Sequence, residues 1–159
     1  WLYEGGIREP YLIKVPGGTK PGSISNVPVT STDFYPTILD ACGLALLPEQ
    51  HKDGVSLMPL LKGKKNLTRK AIYWHYPHYG GKGDSPCAAV RVGDWKLIEF
   101  FEDNRIELYN IRTDMAEKNN LSRKKQLKAK QLRNMLHKWQ RSINAQMPVF
   151  NPYFRENDY

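Results

Sequence analysis

Apolar residues recur at helical spacing between Ser122 and Ala145, so this segment must bury one of its sides. Ser122 can cap the start of a helix, and basic residues occupy the side opposite the apolar stripe. We therefore predict one long helix whose stripe packs on another element. The stripe consists of Leu127, Leu132, Met135, Leu136, Trp139 and Ile143.

The segments before this helix have the composition of short strands. They cover residues 71–76, 87–92, 95–101 and 105–111, and Gly93-Asp94 between two of them is typical of a tight hairpin turn. Consecutive strands joined by short turns favour an antiparallel sheet. We expect a small antiparallel sheet covered by the long helix.

The first half has a different pattern. Residues 11–15 are apolar and run into a loop rich in Gly, Pro and Ser, which predicts a buried strand. Thr32 or Asp33 can cap a following helix that ends at Gly43, and residues 57–61 suggest one further helical turn. With the second half, this predicts an α/β protein.

Positive charge is concentrated in one segment. The formal net charge is +8, and nine of the 24 Lys and Arg lie between Lys118 and Arg141 without an acidic residue among them. This segment can be a solvated helix face or a surface for sulfated polysaccharide or nucleic acid. We favour the solvated face, because no aromatic residue interleaves with the outer cations. No apolar run approaches the ~20 residues of a membrane helix.

The two cysteines, Cys42 and Cys87, have no CxxC spacing, which excludes a Cys-rich zinc site and a dense disulfide framework. Two free buried thiols are the simpler interpretation. One long-range disulfide is the alternative, and it would require an oxidising compartment. The opening residues look like the middle of a folded protein, so we expect a processed, nicked or truncated product of a longer parent.

Five motifs follow one another along the chain in a characteristic order. They are Tyr3–Arg8 with Pro10, Asp33–Leu39 with Gly43, Asp53–Leu57 with Pro59–Leu61, Arg91–Ile98, and Glu107–Asn110 followed by Asp114, Glu117 and Asn120-Leu121. Together they resemble the C-terminal portion of formylglycine-dependent sulfatases (arylsulfatase family, alkaline phosphatase superfamily) over about residues 1–143. Glu9 departs from the family pattern, where an apolar residue is usual.

The resemblance implies a division into domains and a missing catalytic part. Residues 1–65 would form the C-terminal edge of a large α/β domain, 66–147 a subdomain of sheet plus helix, and 148–159 a tail. The family's nucleophile is a Cys or Ser in a Cys/Ser-x-Pro-x-Arg setting, which neither cysteine has. The Ca²⁺ ligands and a sulfate-binding lysine would lie upstream of Trp1. No catalytic residue and no metal ligand is therefore expected in this chain.

The implied activity of the complete enzyme is hydrolysis of sulfate esters, with a sulfated sugar or polysaccharide as substrate. The expected partner is the N-terminal part of the same sulfatase; neither nucleic acid nor a membrane is expected. The implied compartment is secreted, periplasmic or lysosomal. One alternative is a related phosphate or phosphonate ester hydrolase of the same superfamily. The other is a stand-alone polyanion-binding module that uses the basic helix.

The candidate substrate-binding residues are His75 and His78, in an aromatic segment that ends in a Gly-rich tip containing Lys82. Aromatic faces suit sugar rings, and His or Lys can bind anionic groups. The alternative is a structural aromatic cluster with its histidines bound to backbone. Glu4 and Arg8 can pair across their turn, and structural ion pairs are expected for Arg8, Arg91 and Lys96.

Overall fold

The computed structural model describes residues 1–80 and 83–153, so the candidate Lys82 and residues 154–159 of the predicted tail lie outside the described residues. None of the helices in these ranges combines the length and apolar character needed to cross a membrane. The elements are helix α1 (Glu4–Ile7), a 3₁₀ turn (Ser31–Asp33), helices α2 (Phe34–Ala41) and α3 (Met58–Leu61), strands β1 (Ile72–Tyr76), β2 (Cys87–Val92), β3 (Trp95–Phe100) and β4 (Ile106–Asn110), and helix α4 (Gln126–Ser142).

These elements form two compact units. One contains Trp1–Glu9 together with the chain from Tyr73 onward, and the other is Pro10–Ile72. The predicted boundary at residue 65 concerns the complete enzyme and stays a prediction. Within this chain, residues 1–9 join the unit of the sheet, because their side chains pack on it.

The sheet has the order β1-β2-β3-β4, and both β2–β3 and β3–β4 are antiparallel. Val92 pairs with Trp95, so Gly93-Asp94 is a two-residue turn. Gly93 has φ 56°, a left-handed value that glycine adopts without steric cost. The four predicted strands and the hairpin are confirmed, each to within about a residue at its ends.

Both faces of the sheet are covered, as the alternation of side chains along a strand requires. Leu97 and Leu108 lie on the face that α4 covers with Leu132 and Leu136, all of them buried. On the opposite face, Leu2, Tyr3 and Trp74 pack against a cluster from the strands. That cluster consists of Cys87, Ala89, Ile98, Phe100, Tyr109 and Ile111.

Helix α4 confirms the predicted long helix but corrects its start and its stripe. It begins at Gln126 instead of following Ser122, and Lys125 at its N-cap makes no side-chain capping bond. Leu127 is 87% exposed. The reason is geometrical: the buried residues are Ala129, Leu132, Leu136 and Gln140, and Leu127 projects from a different side of the helix.

The Pro10–Ile72 unit contains the predicted helix α2, and Gly43 beyond its end has φ 69°. Asp33 is the N-cap residue, yet its buried carboxylate binds three other segments. It accepts hydrogen bonds from the backbone N–H groups of Thr30 (2.9 Å) and Val55 (3.0 Å) and forms a two-point ion pair with Arg69. The predicted turn at residues 57–61 is confirmed as α3.

The predicted buried strand at residues 11–15 is wrong for this chain. These residues form neither helix nor strand, and Leu12 is 89% exposed. A strand needs a neighbour to bind its backbone N–H and C=O groups. Residues 10–71 contain no other strand that could pair with it. The expected turn between Glu4 and Arg8 is a single turn of helix, Glu4–Ile7.

Truncating Leu136 to Ala should lower the free energy of unfolding by roughly 2–5 kcal/mol, because the side chain is fully buried between α4 and the sheet. The matched control is Leu127→Ala on the same helix. It should change stability by less than about 0.5 kcal/mol, because that leucine is exposed. Urea denaturation followed by circular dichroism measures both, and equal losses would contradict this account of the helix faces.

Candidate functional site

A buried ion cluster fastens the N-terminal segment to the sheet. The Lys96 ammonium, with no exposed surface, lies 3.1 Å from Glu4 Oε1 and 2.9 Å from Glu117 Oε1. Arg91 lies 3.3 Å from Glu4 Oε2, and the half-exposed Arg8 lies 3.6 Å from it. The predicted Glu4–Arg8 pair and the structural ion pairs of Arg91 and Lys96 are therefore confirmed.

Glu117 completes this cluster from the loop after β4. Its Oε2 accepts a hydrogen bond from the backbone N–H of Glu4 at 2.5 Å. Its Oε1 has no partner of hydrogen-bond geometry among the described residues, although Lys96 Nζ is near. Removing one partner of a buried ion pair costs roughly 3–5 kcal/mol, because the other charge remains buried. The cluster therefore fixes the position of helix α1 on the sheet.

Two phenols share one carboxylate beside this cluster. Tyr3 and Tyr109 donate to Glu107 Oε2 over 2.7 and 2.8 Å, and Glu107 also pairs with Arg105. Burial and then the Glu107 carboxylate raise the pKa of Tyr3 to about 12. The same causes raise the pKa of Tyr109 further. Both phenols are therefore neutral donors at physiological pH, and their role here is structural.

No nucleophile of the expected setting appears in the described chain. Both cysteines are free, Cys42 exposed and Cys87 buried, so the interpretation as two free thiols holds but Cys42 is not a buried one. Burial raises the pKa of the Cys87 thiol, which keeps it protonated. Among residues 1–80 and 83–153, no group of three or more His, Cys, Asp or Glu side chains could hold a metal ion.

His75 lies on β1 with both ring nitrogens bound. Its Nε2 donates to the Gln146 carbonyl over 2.7 Å, and its Nδ1 accepts from the Gln140 amide over 3.3 Å in the tautomer that satisfies both contacts. The ring lies 5.6 Å from that of Phe101. These contacts favour the alternative in which this histidine is part of a structural aromatic cluster.

His78 differs from His75, because its side chain is exposed beyond the end of β1. Its ring lies edge-on to Tyr76, with 5.5 Å between the centroids. Nearby, Tyr79 donates to Glu102 over 2.8 Å. The structure thus gives the two predicted histidines different surroundings and does not join them in one polar cluster. Their role in substrate binding stays a prediction.

One buried ion cluster between the sheet and α4 was not predicted. Glu99, a buried residue on β3, binds Arg133 at 2.6 Å and His137 at 2.6 Å, both from α4. His137 is partly exposed at this contact, so the pair lies at the rim of the helix–sheet interface. The sequence feature that could have indicated this cluster is the glutamate within the largely apolar strand segment 95–100, since a buried carboxylate requires a partner. The cluster fixes the helix on the sheet.

The sequence model of one family, described as N-sulphoglucosamine sulphohydrolase, C-terminal, matches residues 1–146. An N-acetylglucosamine-6-O-sulfatase of Bacteroides thetaiotaomicron is 32% identical over 155 residues, which cover 93% of this chain and 27% of that protein. A sulfatase of Formosa agariphila is 35% identical, over 75% of this chain and 23% of that protein. The chain thus spans about a quarter of the length of these curated relatives.

Solved structures agree with these matches. A structure described as a complex with its substrate D-glucosamine-2-N,6-O-disulfate has a TM-score of 0.70 and 31% identity to this chain. The match covers 84% of this chain and 28% of that one. The predicted α/β fold, with an antiparallel sheet and a C-terminal helix, is confirmed.

The buried phenols predict a loss of stability at high pH. Between pH 10 and about 12, Tyr3 ionises in the unfolded chain before it ionises in the folded one. The unfolded state then binds fewer protons, so the free energy of unfolding falls as pH rises through this window. In urea titrations over these pH values, Tyr3→Phe should flatten the decline. The control, Tyr153→Phe at an exposed position, should not, and an equal effect of both would contradict the assignment.

Proposed function

This chain belongs to the sulfatase family, as a C-terminal domain of the N-sulphoglucosamine sulphohydrolase type, and from this we propose that it completes an enzyme that hydrolyses sulfate esters of a sulfated sugar. The observation that carries the proposal is the family match over residues 1–146. The names of its relatives support the substrate class, since they include N-acetylglucosamine 6-sulfatases from Bacteroides thetaiotaomicron and Homo sapiens.

In this proposal the reactive groups come from the N-terminal part of the same enzyme. A formylglycine nucleophile and the residues that hold Ca²⁺ would belong to that part, which supplies the attack on sulfur and the stabilisation of charge. The described residues do not fit a metal site, because no three or more of their His, Cys, Asp or Glu side chains converge in a suitable group. Glu4, Glu107 and Glu117 form ion pairs instead. We assign no chemical step to this chain.

The contribution of this chain would be to hold residues 1–9, and the polypeptide joined to them, in a defined position. Residues 1–9 are fixed by the ion pairs of Glu4 and by the hydrogen bond from Tyr3 to Glu107. The family resemblance implies that the sulfate-binding lysine would be adjacent in sequence to these residues. The buried cluster around Lys96 would therefore act as a positioning group for that lysine.

Exposed apolar residues in the Pro10–Ile72 unit are consistent with a missing covering domain. Leu12, Ile24, Ile38 and Leu44 are all largely exposed, and residues 11–15 have no strand partner. Apolar surface that lies open in one part of an enzyme is ordinarily covered by another part. We assign this role to the N-terminal part. The proposed compartment remains secreted, periplasmic or lysosomal.

For the substrate pocket, His78 is the stronger of the two predicted residues. Its exposed ring can donate to a sulfate or hydroxyl oxygen. His75 would act indirectly, because its ring nitrogens are occupied by Gln140 and Gln146, which hold β1 to the end of α4.

The complete enzyme and this chain alone should differ in activity. We expect the complete enzyme to release sulfate from N-acetylglucosamine 6-sulfate and the 159-residue chain to release none, as measured by ion chromatography. The matched phosphate ester is the control, and the enzyme should hydrolyse it far more slowly. Sulfate release by the chain alone, or faster release of phosphate than of sulfate by the enzyme, would refute the proposal.

Replacing His78 by Ala in the complete enzyme should raise KM for the sulfated sugar about tenfold and change kcat little, since a hydrogen bond to a charged group would be lost. His51→Ala, in the Pro10–Ile72 unit, is the control and should leave both constants unchanged. An unchanged KM in the His78 variant, measured by steady-state kinetics, would remove this residue from the pocket.

A further inference from the structure

The cations between Lys118 and Arg141 are almost all free of structural ion pairs. Of the nine, Arg133 pairs with Glu99 on β3. Within the described part of the chain, no carboxylate lies at ion-pair distance from the other eight. Like charges gathered without counter-ions repel one another, so this cluster does not help to hold the fold together.

Four of these cations lie around one open groove of about 530 Å³ beside the first turn of α4. Lys128 Nζ donates to Gln131 Oε1 over 3.0 Å, and this hydrogen bond holds the Lys128 ammonium group at the side of the groove. Leu127 lies among the cations with its side chain exposed. The groove therefore combines positive charge with one apolar contact surface. Its lining includes Arg123, Lys124, Lys125, Leu127, Lys128 and Gln131.

The position of these charges works against the stability of the helix. The first turn of α4 has no acidic residue, and a positive charge there is disfavoured by the helix dipole. An anion bound in the groove would offset this repulsion. Residues that lower the stability of a fold in this way are typically retained because they bind a ligand.

We infer that the groove binds a sulfated polysaccharide chain. Sulfate half-esters stay ionised at all physiological pH values, and lysine ammonium groups contact such anions as point charges. Leu127 offers an apolar surface to the C–H face of a sugar ring. Single-stranded nucleic acid, by contrast, binds on aromatic side chains, and none lines this groove. The choice of a sulfated saccharide rests on the proposed function.

The experiment uses the complete enzyme and heparin as the sulfated polysaccharide. The triple variant Lys124→Gln, Lys125→Gln, Lys128→Gln removes three charges and keeps residues of good helix propensity. Its control, Lys62→Gln, Lys64→Gln, Lys65→Gln, removes three exposed charges from the other compact unit. The dissociation constant is measured by fluorescence titration at several salt concentrations.

We expect the groove variant to raise the Kd for heparin about tenfold, since each exposed ion pair contributes little by itself. The dependence of log Kd on log salt concentration should flatten as well. The control should change both by much less, and Arg123→Gln, which lies before the helix, should weaken binding in the same direction. kcat/KM for N-acetylglucosamine 6-sulfate should stay unchanged in all three.

Several results would overturn the inference: equal weakening in both triple variants, unchanged heparin affinity in the groove variant, or unchanged affinity in Arg123→Gln. Binding of an oligothymidylate as tight as that of heparin would also overturn it and indicate a surface for nucleic acid. Failure of the proposed function has a different signature. In that case the unmodified enzyme would not release sulfate from the sugar, while the heparin titrations would still decide whether the groove binds.

Discussion

The ion pair between Glu4 and Lys96 joins residues 92 positions apart and determines how residues 1–9 are held on the sheet. Lys96 is fully buried on a strand, so its positive charge requires an acidic partner. Its neighbours on the adjacent strands, Arg91 and Tyr109, are not acidic. Glu4 reaches it from helix α1 and Glu117 from the loop after β4, and Arg91 pairs with the second oxygen of Glu4. Apart from this cluster, residues 1–9 are attached through the packing of Leu2 and Tyr3 and the hydrogen bond from Tyr3 to Glu107.

The sheet has two faces with different tasks. Helix α4 covers one face through Leu132 and Leu136 and is fixed there by the contacts of Arg133 and His137 with Glu99. The other face binds residues 1–9 and carries the ion cluster of Lys96 and the two buried phenols. Paired buried charges hold such a segment at a defined position. The exposed side of α4 is left free for the cationic groove.

The candidate site was predicted unevenly. The aromatic segment around His75 and His78 could be chosen from composition, but the sequence could not separate the two histidines. Their difference depends on Gln140 and Gln146, whose distance from β1 is set by the packing of α4. The Glu4–Arg8 pair could be predicted from the sequence because it spans a single helical turn. The contacts of Glu4 with Lys96 and Glu117 could not be predicted, because they depend on how three distant segments meet.

The amino-acid sequence by itself determined the local elements: the strands, the Gly93 turn, helix α2 and the existence of a long final helix. Periodicity and turn chemistry act over a few residues, so they can be read without knowing the fold. Only the tertiary structure decided that α4 begins at Gln126 with Leu127 outside the buried side, and that residues 11–15 form no strand in this chain. It also decided that residues 1–9 cover the sheet. The physical reason is that burial and the partner of each charge are properties of segments brought together across long sequence separations, which no local pattern records.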